Sequence, residues 1–287
     1  MWKRPYNKVY KEKRWFDLWI KEGYSIRQLR HISGHSQSKL RRIIALWLSK
    51  EPPVLSHNIY KRAKYLLFDG TYFHKYGCLA IFMDNTSKSI LFYTYIPKES
   101  YHNVYPMAVY LKEHGLMPKA ITLDGHIKVI RAIMDVWPSA IVQRCLYHIQ
   151  RQGLSWLRTY PKTEAGRALR VLLNSLMNVK TEHDKAMFAQ NYDNWLNKHE
   201  TLIKTLPKNS VANFDLKRTM ALINNALPNM FHYLKDQDIA PTTNLLENFY
   251  SQLKHHYRSH RGLIEQHKIS YLKWFCYLKS SKNNNTI

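Results

Sequence analysis

Three cysteines in 287 residues, Cys78, Cys145 and Cys276, are too few and too widely spaced for a disulfide framework, and no CxxC pair is present to hold zinc. Reduced thiols in a cytosol are the expectation. Long apolar runs are missing too. No stretch reaches 18 apolar residues, and the N-terminal MWKRPYNKVYKEKRWF lacks the apolar core of a signal peptide. The chain therefore reads as soluble and cytoplasmic, with no membrane partner. Repeats and low-complexity tracts are absent apart from the polar tail 280–287, which is expected to fray. Negative charge is also scarce: 20 Asp and Glu face 44 Lys and Arg, for a net +24. Such an excess repels itself unless a polyanion neutralises it, and nucleic acid is the obvious polyanion. With 45% apolar residues the chain has ample material for a core, as one large domain or two to three smaller ones.

The few carboxylates stand in distinctive places. Tyr65–Phe73, YLLFDGTYF, is an apolar strand-like run interrupted by Asp69. One reading makes Asp69 and Gly70 the turn of a hairpin, and the other gives the carboxylate a function. AITLDG at 120–125 repeats the pattern, but the residues after it have apolar positions at helical spacing, which leaves no partner strand. Asp124 is thus expected at the C-terminal end of a strand, where open α/β sheets gather their ligands. In TTNLLENFYSQLKHHYRSHRG (242–262), Leu246, Phe249, Tyr250, Leu253 and Tyr257 share one helical face, while Glu247 heads a basic stripe with Lys254 and Arg258. The alternative for Glu247 is a capping box with Asn244 as N-cap.

In chain order, residues 8–50 read as three helices broken at Gly23 and Gly34, with Ser25 and then Ser36 or Ser38 as caps. The third carries Lys39, Arg41 and Arg42 on its outer side. This is either a helix-turn-helix DNA-binding domain (1–50) or a three-helix packing module with a solvated basic face. Glu51-Pro52-Pro53 ends it, and 51–64 reads as a linker. Strands are predicted over 65–74, 78–83, 89–96, 119–123 and 140–144, with helices over 101–114 and 127–136. The order β-β-β-α-β-α-β is the topology of a ribonuclease-H-like α/β fold, in which the first and fourth strands are neighbours. Asp69 and Asp124 would then adjoin. Residues 145–240 show only helical periodicity, with Thr163 and Thr181 as caps and aromatic and Met positions expected in the core. A last helix is predicted over 264–278.

Taken together, LLFDGTYF, ITLDGH, the CLYH of QRCLYHIQR, the helical stretch, and TTNLLENFYSQLK followed by RSHRG resemble the bacterial insertion-sequence transposases of the DDE type, in the Mutator-like group. The resemblance covers roughly residues 60–278. It implies a ribonuclease-H-like core (65–148 and 241–279) interrupted by an all-α insertion (149–240), with Asp69, Asp124 and Glu247 as catalytic, metal-binding carboxylates. Cys145 and His148 match the family's Cys-x-x-His signature. Relatives usually have a longer N-terminal part, often with zinc-binding cysteines, which leaves end recognition here to the predicted helix-turn-helix or to a partner. Oxygen ligands imply Mg²⁺ or Mn²⁺; two such ions about 3.5–4 Å apart can activate a water or 3′-hydroxyl and stabilise the leaving oxygen. Lys254, His255, His256, Arg258 and Arg261 are expected on DNA phosphates, as are Arg144, His148 and Arg151 around CLYH. Double-stranded DNA, at element ends and target, is the expected partner, with a homo-oligomer forming on it at the nucleoid. The alternatives are a domesticated, non-catalytic DNA-binding regulator and another ribonuclease-H-like nuclease.

Overall fold

The computed structural model describes residues 5–73, 77–260 and 262–284, with side chains over 9–73, 77–260 and 262–280. Arg261 lies outside the described residues. So do Lys75 and Tyr76 of the first predicted hairpin turn.

Three helices open the chain: α1 (Pro5–Lys21), α2 (Ile26–Ser33) and α3 (Gln37–Leu48). Ser25 caps α2 in a full capping box with Gln28, and Ser36 caps α3. Gly34 makes the turn between them at φ 68°, a left-handed conformation that favours glycine. Five strands follow, interleaved with two helices: β1 (Tyr65–Tyr72), β2 (Cys78–Asp84), β3 (Ile90–Ile96), α4 (Tyr101–Glu113), β4 (Ala120–Leu123), α5 (Ile127–Val136) and β5 (Ile141–Arg144). They form one mixed sheet in the order β3-β2-β1-β4-β5. β1 runs antiparallel to β2 and parallel to β4. The rest is helical: α6 (Leu146–Leu157), α7 (Glu164–Ser175), α8 (Glu182–Thr205), α9 (Val211–Ala226), α10 (Asn244–Arg258) and α11 (Glu265–Asn284). Thr163 and Thr181 cap α7 and α8, as the sequence predicts. Among the described residues, no helix is long and apolar enough to cross a membrane.

Alternation along β1 sends Leu66 and Phe68 into one apolar cluster with α4 and α5, and Leu67 into another with α1, α3, α10 and α11. A third cluster lies within α6 to α9 and the segment after them, where the predicted core aromatics Phe188, Tyr192 and Trp195 are buried. Met187 departs from that expectation and is exposed, and Trp156 is only half-buried. The N-terminal helices are held by more than apolar contact. The Trp274 indole N–H on α11 donates to the Trp47 and Lys50 carbonyls at 2.9 Å each, and the Tyr271 hydroxyl donates to the Ile20 carbonyl at 3.4 Å.

Two alternative readings are not found, and two expectations need correction. Asp69 and Gly70 form no turn: β1 continues to Tyr72, pairing Asp69 with Ile81 and Gly70 with Ala80. Gly70 admits close neighbours: a Cβ there would fall 2.4 Å from Glu99 Oε1 and 2.6 Å from Cys78 Sγ. The segment 51–64 is not a bare tether, since Tyr60 and Ala63 are buried and the Tyr60 hydroxyl donates to the Leu91 carbonyl at 2.9 Å. The tail does not fray from residue 280, because α11 continues to Asn284 with Ser280 buried and donating to the Cys276 carbonyl. Thr243, not Asn244, is the N-cap of α10, and it makes no side-chain cap.

Because Trp274 serves both the apolar cluster and the open end of α3, Trp274→Ala is expected to lower stability by about 3–5 kcal/mol. Thermal melting followed by circular dichroism checks this. A loss below about 1 kcal/mol would mean that the N-terminal helices are not held through α11.

Candidate active site

The parallel pairing of β1 with β4 ends at Phe68 opposite Leu123, so the next residue on each strand is an aspartate. Asp69 is 7% exposed, whereas Asp124 is exposed in the turn before α5. Asp69 shares the face of Leu67, beneath α10. There the Tyr250 hydroxyl donates to the Asp69 carbonyl at 2.7 Å and reaches the Leu79 carbonyl at 3.3 Å, pinning α10 to β1 and β2. Glu247 lies three residues before Tyr250 on the same helix. Ligand atoms of Asp69, Glu247 and His148 consequently lie within 4.8 Å of one another. Asp124 is not part of that tight group.

His148 enters through a local arrangement around Cys145. Cys145 is buried at the junction of β5 and α6, and its sulfur receives the Thr243 N–H at 3.3 Å and the Thr243 hydroxyl at 3.4 Å. The Leu146 N–H donates to the Pro241 carbonyl at 3.0 Å. The starts of α6 and α10 are thereby tied together, with His148 Nε2 at 3.3 Å from Glu247 Oε1. Thr243 spends its hydroxyl on Cys145, which explains the missing cap and leaves the Glu247 carboxylate to face the cluster.

A fourth carboxylate was not singled out in the sequence. Glu99, in the loop after β3, lies with its carboxylate against Gly70, and its N–H donates to the Tyr72 hydroxyl at 3.3 Å. Burial pushes the Asp69 carboxyl up to about 7; the nearby His148 opposes this, while Glu99 and Glu247 add to it. Burial, followed by repulsion from Asp124, likewise raises Glu99 to about 7. For His148, burial disfavours the charged ring. The Cys145 sulfur and the carboxylates of Asp124 and Asp69 outweigh it and raise the group to about 9. His148 Nδ1 is buried without a hydrogen bond of normal geometry.

This donor set fits a divalent cation. Two carboxylates, Asp69 and Glu247, converge with His148, whose ring faces Glu247, and burial penalises the charge of Asp69. Once it gives up its proton, His148 can also add a nitrogen to ligands expected to be oxygen only.

The other predicted residues are scattered. Arg144 is 5% exposed, with its Nε unpartnered, and packs so closely on Gly125 that a Cβ there would lie 1.7 Å from Nη2. Arg41, Arg42, Arg151, His255 and Arg258 are exposed. Lys39 pairs with Glu12 at 3.0 Å, and Lys254 Nζ lies 5.7 Å from the Phe73 ring centroid. His256 packs on Phe275 and crowds Gly23.

A mixed α/β core with a carboxylate–histidine cluster over its central strand β1, in a chain of charge +24, suits an enzyme acting on nucleic acid. Residues 78–272 match the family described as Transposase, Mutator family, and the chain belongs to that family. Asp124 and Glu247 fall within the match, and Asp69 precedes it. No curated protein matches the chain. Among solved structures, a chain of the simian T-cell lymphotropic virus intasome in complex with PP2A regulatory subunit B56 gamma is similar at 13% identity. The alignment covers 58% of this chain and 69% of that one, and its TM-score of 0.24 is too low to bear on fold or function.

Ionising Asp69 is harder in the folded chain than in the unfolded one, so the stability it contributes is full below about pH 4 and is lost as pH rises through 7. Asp69→Asn removes this loss. In EDTA, the variant should gain on the natural protein from pH 5 to 8 by roughly 2–4 kcal/mol, and saturating Mn²⁺ should cancel the gain by stabilising the natural protein. Melting curves across that range check it, and a pH-independent difference would contradict the burial argument.

Proposed function

We propose that this Mutator-family transposase is of the DDE type, cutting DNA at element ends and joining the freed 3′ ends to target DNA. The observation that carries the reading is the end of the β1–β4 pairing, after which Asp69 on β1 and Asp124 just past the end of β4 follow on adjacent chains, with Glu247 held over Asp69 by Tyr250. The strand order and the helical block between β5 and α10 support a ribonuclease-H-like core (65–148 and 241–279) with an all-α insertion (149–240). The turn at Gly34 between capped helices supports residues 1–50 as a helix-turn-helix that reads element ends through Lys39, Arg41 and Arg42, with 51–64 as the connection.

Asp69, Asp124 and Glu247 would hold Mg²⁺ or Mn²⁺, which supplies Lewis-acid activation of the attacking oxygen and charge stabilisation for the leaving one. His148 orients the Glu247 carboxylate and offsets its charge in the metal-free chain. Arg144 sits beside Asp124, where a guanidinium can meet a phosphate oxygen. Lys254, His255, Arg258, Arg261 and Arg151 would position the DNA backbone without reading its sequence. A homo-oligomer assembled on double-stranded DNA at the nucleoid completes the reading.

Glu247→Gln is the discriminating variant, because the side chain has no capping role to lose. It should nearly abolish Mg²⁺-dependent cleavage of a labelled element end, while melting temperature and DNA binding stay unchanged. Normal cleavage by a folded Glu247→Gln protein would remove Glu247 from the site.

A further inference from the structure

We propose that the end of α6 and the start of α9 form a binding site for unpaired DNA bases next to the cut. This rests on the transposase reading and extends it to the form of the DNA substrate. α6 begins at the carboxylate cluster. His148, Arg151 and Ser155 follow at spacings of three and four, so they lie along one side of the helix, Arg151 and Ser155 are exposed, and Arg158 is its C-cap. At 1.5 Å per residue, Arg158 lies about 15 Å along the axis from His148. A few nucleotides of an unpaired strand can span that distance.

At the far end, aromatic rings stand out of the core beside cations. Tyr160 is 88% exposed and Phe214 is 62% exposed. The Arg218 guanidinium lies 4.9 Å from the Trp156 ring centroid and 5.0 Å from that of Phe214. Asp215 braces the site from beneath, binding Arg218 Nη2 at 2.6 Å and Arg158 Nε at 3.5 Å. Arg158 itself has φ 60° and ψ 174°, a costly conformation for a residue with a side chain, and Arg170 Nη1 holds its carbonyl at 2.7 Å. This abrupt end to α6 carries the chain out to Tyr160.

Between Tyr160 and Pro161 on one side and Val211 and Asp215 on the other is a cavity of about 120 Å³. That is smaller than the roughly 300 Å³ at which small-molecule sites begin, so it has room for little more than one ring-sized group. Exposed Lys162 lines the same cavity, and Lys217, three residues after Phe214 on α9, is exposed as well. Exposed aromatic faces among cations are what binds single strands, each stacked base contributing about 1–3 kcal/mol whatever its sequence.

The test is fluorescence anisotropy in EDTA with two labelled probes, a blunt duplex and the same duplex carrying a six-nucleotide single-stranded extension. Tyr160→Ala and Phe214→Ala should each weaken binding of the extended probe about tenfold and leave the blunt duplex unchanged, while Tyr160→Phe binds both as the natural protein does. Both positions are exposed, so melting should not move. Equal affinity of the alanine variants and the natural protein for the extended probe would overturn the inference alone. So would an equal loss on both probes, which marks a general phosphate clamp. Failure of the natural protein to bind either probe would overturn the transposase reading with it.

Discussion

The hydroxyl of Tyr250 fixes the relation on which the rest of the site depends. By donating to the Asp69 carbonyl, and more weakly to that of Leu79, it anchors α10 across β1 and β2 one turn beyond Glu247. The position of Tyr250 is fully buried, so this hydroxyl must find a partner, and strand carbonyls are what the sheet offers it. The cost of a buried aspartate is accepted at the same spot. A carboxylate that burial raises to about 7 contributes nothing to a core and is stable as an ion only with a counter-charge nearby. His148 is that counter-charge in the metal-free chain.

The second tie is the Cys145 sulfur. It receives both polar groups of Thr243 and so joins the start of α6, after β5, to the start of α10 across 98 residues of chain. The Cys-x-x-His pair therefore divides its work. Cys145 aligns two helix starts, and His148, one turn later, faces the carboxylate that the second helix carries. With Tyr250 and Cys145 both in place, an acidic residue from a distant part of the chain is set against the strand ends from two directions.

Much of this was legible in the sequence because the local signals and the fold agree. Apolar runs bounded by turn residues marked all five strands, and the serine and threonine caps marked α2, α3, α7 and α8. Asp124 stood out because a helix follows it. The strand predicted through Asp69 is found, and the turn that Asp-Gly left open as an alternative is not, since β1 runs on to Tyr72 with Gly70 packed against Glu99 and Cys78. The alternative of a capping box at Asn244 is not found: Thr243 is the N-cap, and its hydroxyl is engaged by a cysteine far away in the chain. Glu99 was invisible for the same kind of reason: its loop has no pattern, and only the sheet brings it to Gly70. Burial of Arg144 beneath Gly125 likewise follows from the packing of β5 against the turn after β4.

The central claim is that Asp69 and Glu247 converge to hold a divalent cation. Mn²⁺ titration followed by electron paramagnetic resonance, on the natural protein and on Asp69→Asn, addresses it without requiring DNA or turnover. The account predicts that the natural protein depletes the free Mn²⁺ signal, and that Asp69→Asn loses this binding while staying folded, melting no lower than the natural protein does in EDTA. Undiminished Mn²⁺ binding by a folded Asp69→Asn protein would contradict it.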